Sequence, residues 1–522
     1  SYTTNRVGNE VSTDLNSTNE TAGDRRIYLE AMVDYNRTFG RHDVNAMLLY
    51  NQDELVNNVP GNNLINSLPK RKQGLAGRLS YAYDGKYMAE VNMGYNGSEN
   101  FAKGHRWGFF PSIALGYNIS EESFFEPLRK VITSMKLRGS WGLVGNDQIG
   151  GERFIYMPTI NLSGKGFTTG IDQNYGLSGP VYTRYENNSI TWEVGEKINL
   201  GIDLQLLNSL NIVVDIFRET RRDIFQKKGT IPTYLGTGNT DVFGNLAEMK
   251  NQGLDLSIDY NKAFSKDFYM NFKGTFTYAH NEITKYDEAP KYAFQSKVGQ
   301  SANVSQGYLS NGLFLDEAEI DRYNQQMGST LGAGDIKYLN VSNMHGYGDD
   351  IVDVDDWTWI GNSTVPEIVY GFGPSFKYKN WDFSFFFQGV AKTSLFMSGF
   401  HPFGDNSLRN VLQFVANDRW SPTNQNVDAK YPRLTRKTSL NNTNPGNSGR
   451  TSDYWMRDGS FLKLKNMELG YTFKRMRFYI SGSNLLTFSK FDLWDPEQGG
   501  GSGLKYPTQR VFNVGFQMTF NN

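Results

Sequence analysis

The 522-residue sequence contains no cysteine. That absence excludes thiolate metal sites, disulfide staples and cysteine nucleophiles together, and it suits an envelope protein that crosses an oxidising compartment unfolded. An excess of either charge is missing too. Against 54 Asp and Glu stand 53 Lys and Arg, a formal net charge of −1, so no basic surplus supports binding to nucleic acid. No run approaches the roughly 18 apolar residues of a membrane helix, and the mean hydropathy is negative. Proline is modest at 16, which excludes a proline-rich linker. Ser1 opens the chain without a methionine or an apolar leader, so a processed or partial chain is expected.

Chemistry-bearing signatures are equally sparse. The five histidines, His42, His105, His280, His345 and His401, are scattered and form no H-x-x-x-H pair, which points to surface or lumen positions rather than a zinc site. Gly499-Gly500-Gly501-Ser502-Gly503 lacks the strand–loop–helix context and the Lys-Ser/Thr of a phosphate loop,. No local signature sets a nucleophile beside a base. No catalytic residue is therefore expected, and the chain does not read as an enzyme.

Aromatic residues and glycine are plentiful: 14% aromatic, and 54 glycines. That mixture favours strands, tight turns and interfacial aromatic belts over helices. At the end of the chain Phe512, Val514, Phe516, Met518 and Phe520 alternate with Val511, Asn513, Gly515, Gln517 and Thr519. A period of two places the two sets on opposite faces of a strand. The same alternation recurs upstream. Leu75, Leu79, Tyr81 and Tyr83 oppose Ala76, Arg78, Ser80 and Ala82, and Asp84-Gly85 signals a hairpin into Tyr87–Asn96,. Leu254, Leu256, Ile258 and Tyr260 interleave with Asp255, Ser257 and Asp259. Two unpartnered carboxylates would be costly in a dry core; a wet lumen on one side and lipid on the other accommodate both faces.

About 15 strands are clear, or about 16 with a weakly alternating tail at Ser1–Thr13. Short connections (Asp84-Gly85, Asn208-Ser209, Lys262–Lys266, Lys379-Asn380) alternate with long ones near Val144–Glu196, Asp223–Glu248, Asn281–Pro366 and Ala391–Asp458. A soluble β-sandwich explains the alternation but not strands of about 10–13 residues joined with this asymmetry. The expected fold is all-β, an antiparallel transmembrane β-barrel with short periplasmic turns, long outer loops and a periplasmic C-terminus.

Several stretches resemble the SusC/RagA-like branch of TonB-dependent outer-membrane transporters. They include Arg106-Trp107-Gly108-Phe109-Phe110-Pro111-Ser112, Lys136-Leu137-Arg138-Gly139-Ser140-Trp141-Gly142 and Gly334-Asp335-Ile336-Lys337-Tyr338. Further along come Arg419-Trp420-Ser421-Pro422, Tyr431-Pro432-Arg433, Asp458 to Asn466, and Asp495-Pro496-Glu497. The resemblance implies a barrel of roughly 22 strands around a plug, with the plug and first strands upstream of the residues given. It also implies energised import of a glycan or peptide, with a SusD-like surface lipoprotein over the outer loops and TonB acting through the plug. Outer-membrane lipids and lipopolysaccharide would surround the belt of a Gram-negative outer-membrane protein. A structural subunit of a larger envelope complex and a passive porin remain the alternatives.

The family often carries a calcium-loop-like pattern after its G-D-I-K-Y stretch, and clustered carboxylates suit a hard cation. Here Asp349, Asp353 and Asp356 are the candidate Ca²⁺ ligands, with Asn340 and Asn343 second to them; a solvated acidic loop is the alternative. The long connections also carry Tyr175, Tyr182, Tyr185, Tyr234, Tyr347, Trp357, Phe400 and Trp420. These suit either sugar or peptide stacking or packing of the loops on themselves.

Overall fold

The computed structural model describes residues 23–58, 64–232, 241–323, 325–326, 331–400, 402–403, 410–436, 442 and 451–520. Fifteen strands form one antiparallel sheet in which sequence neighbours pair throughout. They are β1 (Asp24–Phe39), β2 (His42–Asn57), β3 (Lys70–Tyr83), β4 (Tyr87–Ser98) and β5 (Trp107–Asn118). Next come β6 (Ile132–Asn146), β7 (Glu193–Leu206), β8 (Leu210–Lys227), β9 (Phe243–Ala263) and β10 (Phe268–Lys285). The last are β11 (Ile368–Tyr378), β12 (Trp381–Ala391), β13 (Phe461–Phe473), β14 (Met476–Ser489) and β15 (Val511–Met518). The tail at Ser1–Thr13, Tyr234 and His401 lie outside the described residues. No helix among the described residues is long and apolar enough to cross a membrane.

The ladder keeps the expected faces. Val91 pairs with Leu79 and Ile113, while its neighbour Asn92 pairs with Arg78 and Ser112. Asp255 pairs with Asp215 and Thr277 on the polar face. The apolar face is bounded by aromatic rings at both ends. At the short-turn rim Tyr87 stacks on Tyr117 at 5.2 Å, and Trp381 meets Tyr471 at 4.7 Å. At the other rim Tyr95 stacks on Trp107 at 4.8 Å. Tyr87 and Tyr95 lie about 27 Å apart along β4, close to the apolar band of about 25 Å in an outer-membrane barrel.

The short turns use left-handed backbone where the sequence indicated reversal: Asp84 and Gly85 have φ of 54° and 65°, and Lys379 has φ of 52°. Several strands run further toward the long-loop side than their alternation extends. β8 continues from Arg218 to Lys227 through Glu219-Thr220-Arg221-Arg222-Asp223. Beyond the bilayer neither face has to be apolar, so the pattern lapses while backbone pairing continues. A second feature lies in the connection between β6 and β7, read from the sequence only as a long connection. It carries a hairpin of Thr159–Thr169 and Tyr175–Arg184, whose base is held by Arg184 donating to Glu152 at 2.7 Å.

Most of the buried apolar residues belong to the long connections rather than to the sheet. One cluster joins the connections after β10, β12 and β14 through Leu313, Tyr338, Phe403, Tyr431, Trp455 and Phe491. A smaller one gathers Phe101, Ile149, Ile155, Ile190 and Trp192 after β4 and β6. A wall with lipid on one face and water on the other has no dry interior. The long connections make one instead.

Candidate functional site: the polar wall and its loop crown

Two arginine clamps organise the polar wall. Arg138 on β6 donates to Asp203 on β7 at 2.7 Å and to Asp215 on β8 at 3.0 Å. Gly201 lies beneath; a Cβ there would stand 2.5 Å from the Asp215 carboxylate and 2.8 Å from the guanidinium carbon. Glycine is required for the arginine to cross its neighbour strand. Arg477 on β14 repeats the device. It donates to Asp382 on β12 and to Glu468 on β13 (2.5 Å), passing over Gly470. Thr277 donates to Asp255 at 2.7 Å, and Ser80 and Asn92 donate to Glu90 at 2.8 and 2.9 Å. Near the short-turn end a recess of about 730 Å³ is bordered by Asp43, Asn45, Glu90, Lys136 and Arg138. Such a wall offers both charges and many amide and hydroxyl groups to a wet channel.

Several of the motifs that carried the family resemblance meet in the crown, whereas Lys136–Gly142 lies within β6 and supplies Arg138 to the wall. Asp335, fully buried, is paired with Arg433 and accepts from the Asn442 amide at 2.6 Å. The Asp335 carboxylate raises the Arg433 guanidinium still further. Gly334, at φ 85°, lies against the Trp420 ring, where a Cβ would meet ring carbon at 2.3 Å. The Trp420 amide donates to the Tyr431 carbonyl at 3.0 Å, and the Arg433 amide to the Gly334 carbonyl at 2.9 Å. Burial pushes the Tyr431 hydroxyl up to about 12. At the rim Lys463 is tied to Asp495 and Glu497, and Lys465 donates to Glu497 at 2.6 Å. On the far side the Trp192 indole donates to the Arg106 carbonyl at 3.1 Å, and its ring packs on Phe110. These motifs are joints between connections far apart in sequence. No local spacing signal could have paired them.

The calcium candidates lie in one loop. Asp356 is fully buried and accepts from the Ser342 amide at 2.9 Å and the Asp353 amide at 2.7 Å. Burial raises its carboxyl above the ordinary range despite those donors. Asp349 accepts from the Asn340 amide at 3.2 Å and the Ser342 hydroxyl at 3.3 Å. Asp353 turns to the Asp355 amide at 2.8 Å, and Asn340 caps the Asn343 amide at 2.7 Å. All three carboxylates are thus engaged by donors of their own loop. Among the described residues no three histidine or acidic side chains converge as a metal-holding group.

His42 shares a hydrogen bond of 2.8 Å with Tyr81, His280 one of 2.6 Å with Glu367, and His345 stacks on Phe294. His105 is exposed. The loop aromatics divide. Phe400 and Trp420 are buried in the crown, whereas Tyr175, Tyr182, Tyr185, Tyr347 and Trp357 stay exposed.

Residues 1–485 match the sequence pattern of the family described as TonB dependent receptor-like, beta-barrel. The chain belongs to that family. Among relatives of this receptor, TonB-dependent receptor P3 of Formosa agariphila is 25% identical over 98% of the chain and 54% of its own length. TonB-dependent receptor SusC of Bacteroides thetaiotaomicron is 28% identical over 85% of the chain and 43% of its own. The solved structure titled the RagAB peptide transporter shares the fold at a TM-score of 0.69, with 20% identity, covering 95% of this chain and 56% of that one. The chain therefore spans about half the length of the relatives it matches. The SusC/RagA-like assignment and the all-β outer-membrane barrel class both hold.

Proposed function

We propose that this chain forms the channel wall, lipid-facing belt and outer loops of an energised importer for a glycan or peptide. The carrying observation is the two-faced ladder: an apolar face between aromatic rims, backed by a face built from arginine–carboxylate clamps. A substrate passing such a wall meets exchangeable hydrogen-bond partners of both charges, and a rigid polar lumen suits transient contacts better than tight capture. Long connections would face outward and short turns the periplasm. β1 and β15 each pair on one side only among the described residues; hydrocarbon tolerates no open edge, so further strands would close the wall of the working receptor. A SusD-like lipoprotein would cover the crown, and TonB would act through a plug. No chemical step is assigned to any residue.

The test is uptake of labelled oligosaccharides and peptides by cells carrying the full receptor, with and without an uncoupler. Uptake that stops with the uncoupler supports import. Uncoupler-resistant uptake with steady conductance in a planar bilayer would indicate a porin. Correct assembly with neither would indicate a structural subunit. Calcium at Asp349, Asp353 and Asp356 is a separate proposal, supported by the grouping of three carboxylates in one short loop,. Calorimetric titration without a saturable Ca²⁺ signal would remove it.

A further inference from the structure

The loop between Asn340 and Trp357 buries Val341 and Val352 together with part of its polar complement. Three polar groups are inside: Asp356 and Ser342 are 0% exposed and Asn340 is 7% exposed. Met344, Val354 and Tyr347 are outside, at 69%, 58% and 50% exposed. A loop that spends its carboxylates on its own backbone donors while presenting rings to water has the form of a contact surface.

The rings are not loose. Phe294 stacks on His345 at 4.6 Å with planes 14° apart, and on Tyr292 at 5.5 Å with planes 11° apart. Tyr347 closes on Tyr292 at 4.2 Å. The base of the group is fixed from both sides. Lys291 pairs with Asp355, and Gln295 donates to the Asp355 carbonyl at 3.0 Å. Mutual packing removes the rotamer entropy that a ligand would otherwise have to quench. Exposed groups able to donate or accept neighbour the rings in sequence, Asn343 and Asp350 on the same loop and Lys291 beside Tyr292, over whose ring its ammonium lies at 5.2 Å.

We infer that the Tyr292–Phe294–His345–Tyr347 cluster is a saccharide-stacking subsite on the outer loops. The C–H face of a pyranose ring lies flat on an aromatic ring, and its equatorial hydroxyls need polar partners beside that ring rather than beneath it. Locked rings flanked by an amide, a carboxylate and an ammonium supply both. This rests on the import reading and narrows its substrate to a glycan that is first caught here.

The experiment titrates the full receptor, purified in detergent, with α-1,4-, β-1,3- and β-1,4-linked glucohexaoses, a uronic-acid hexasaccharide and a neutral decapeptide. At least one saccharide should bind. Tyr347→Ala should weaken it by up to about tenfold, the size of one aromatic contact, whereas Tyr347→Phe, which keeps the ring, should stay within about twofold of the parent. Hydrogen exchange of residues 340–357 checks that the loop stays folded in each variant. Binding of the decapeptide alone, no saccharide binding below about 1 mM, or equal binding by Tyr347→Ala would overturn the subsite. Saccharide capture without uncoupler-sensitive uptake would leave the subsite standing and remove the import reading.

Discussion

At the scale of single residues, the groups that matter most are those whose partners are fixed by burial. Asp335 is fully buried and pairs with the half-buried Arg433. Removing one member of such a pair strands the other charge, at a cost of about 3–5 kcal/mol. Asp335→Ala should therefore open the crown and not the wall. Limited proteolysis should cut faster within residues 331–436, while the heat-induced gel shift of the barrel is unchanged. Equal protection of wild type and variant would show that the pair is dispensable.

Asp356 gives a prediction with a sign. Its folded carboxyl is raised above the ordinary value by burial. A raised carboxyl contributes its stability below the unfolded pKa of about 3.9 and loses it as pH rises through the folded value. Hydrogen exchange of residues 340–356, corrected for intrinsic rate, should report more frequent opening as pH rises through that window. Asp356→Asn should flatten the dependence. A loop that becomes better protected over the same rise would contradict the assignment of burial as the dominant effect.

At the scale of elements, each strand answers to two solvents. Val91 stands midway between Tyr87 and Tyr95 on the apolar face of β4, flanked by Leu79 and Ile113. An arginine at the bilayer midplane of a barrel costs about 2–4 kcal/mol, so Val91→Arg should lose about that much in denaturant unfolding from lipid vesicles. Asn92→Arg, one residue along and facing the channel, should cost far less. Similar losses would mean that the two faces are not distinguished by lipid. The same duality explains why alternation marked β3, β4 and β15 clearly yet stopped short of the ends of β8, β9 and β10. Alternation records the bilayer, and those ends stand beyond it.

For the molecule as a whole, the connections define two sides. None of these 522 residues is cysteine, so a cysteine introduced among them is the one thiol this part of the receptor presents. In intact cells an impermeant maleimide should reach Ser178→Cys, on the long-loop hairpin, and miss Asn380→Cys and Arg475→Cys, in short turns, until the envelope is broken. Labelling in the opposite order would invert the proposed orientation.

Sequence by itself determined the strand ladder, its two faces, the alternation of short and long connections and the family. Each of these is written in a local period or a contiguous motif, because a residue's solvent is set by its parity along one strand. Only the tertiary structure decided partners. Arg138 reaches Asp215 across 77 residues, and Arg433 reaches Asp335 across 98. Such pairs follow from sheet register and from the way long loops close on one another, and no period encodes either. The motifs named the family in sequence; folding showed that Asp335, Trp420, Tyr431 and Arg433 hold the crown in shape while Arg138 clamps the wall. The acidic loop likewise read as a row of carboxylates, and folding tied three of them to donors of the loop itself while Tyr347 stayed exposed.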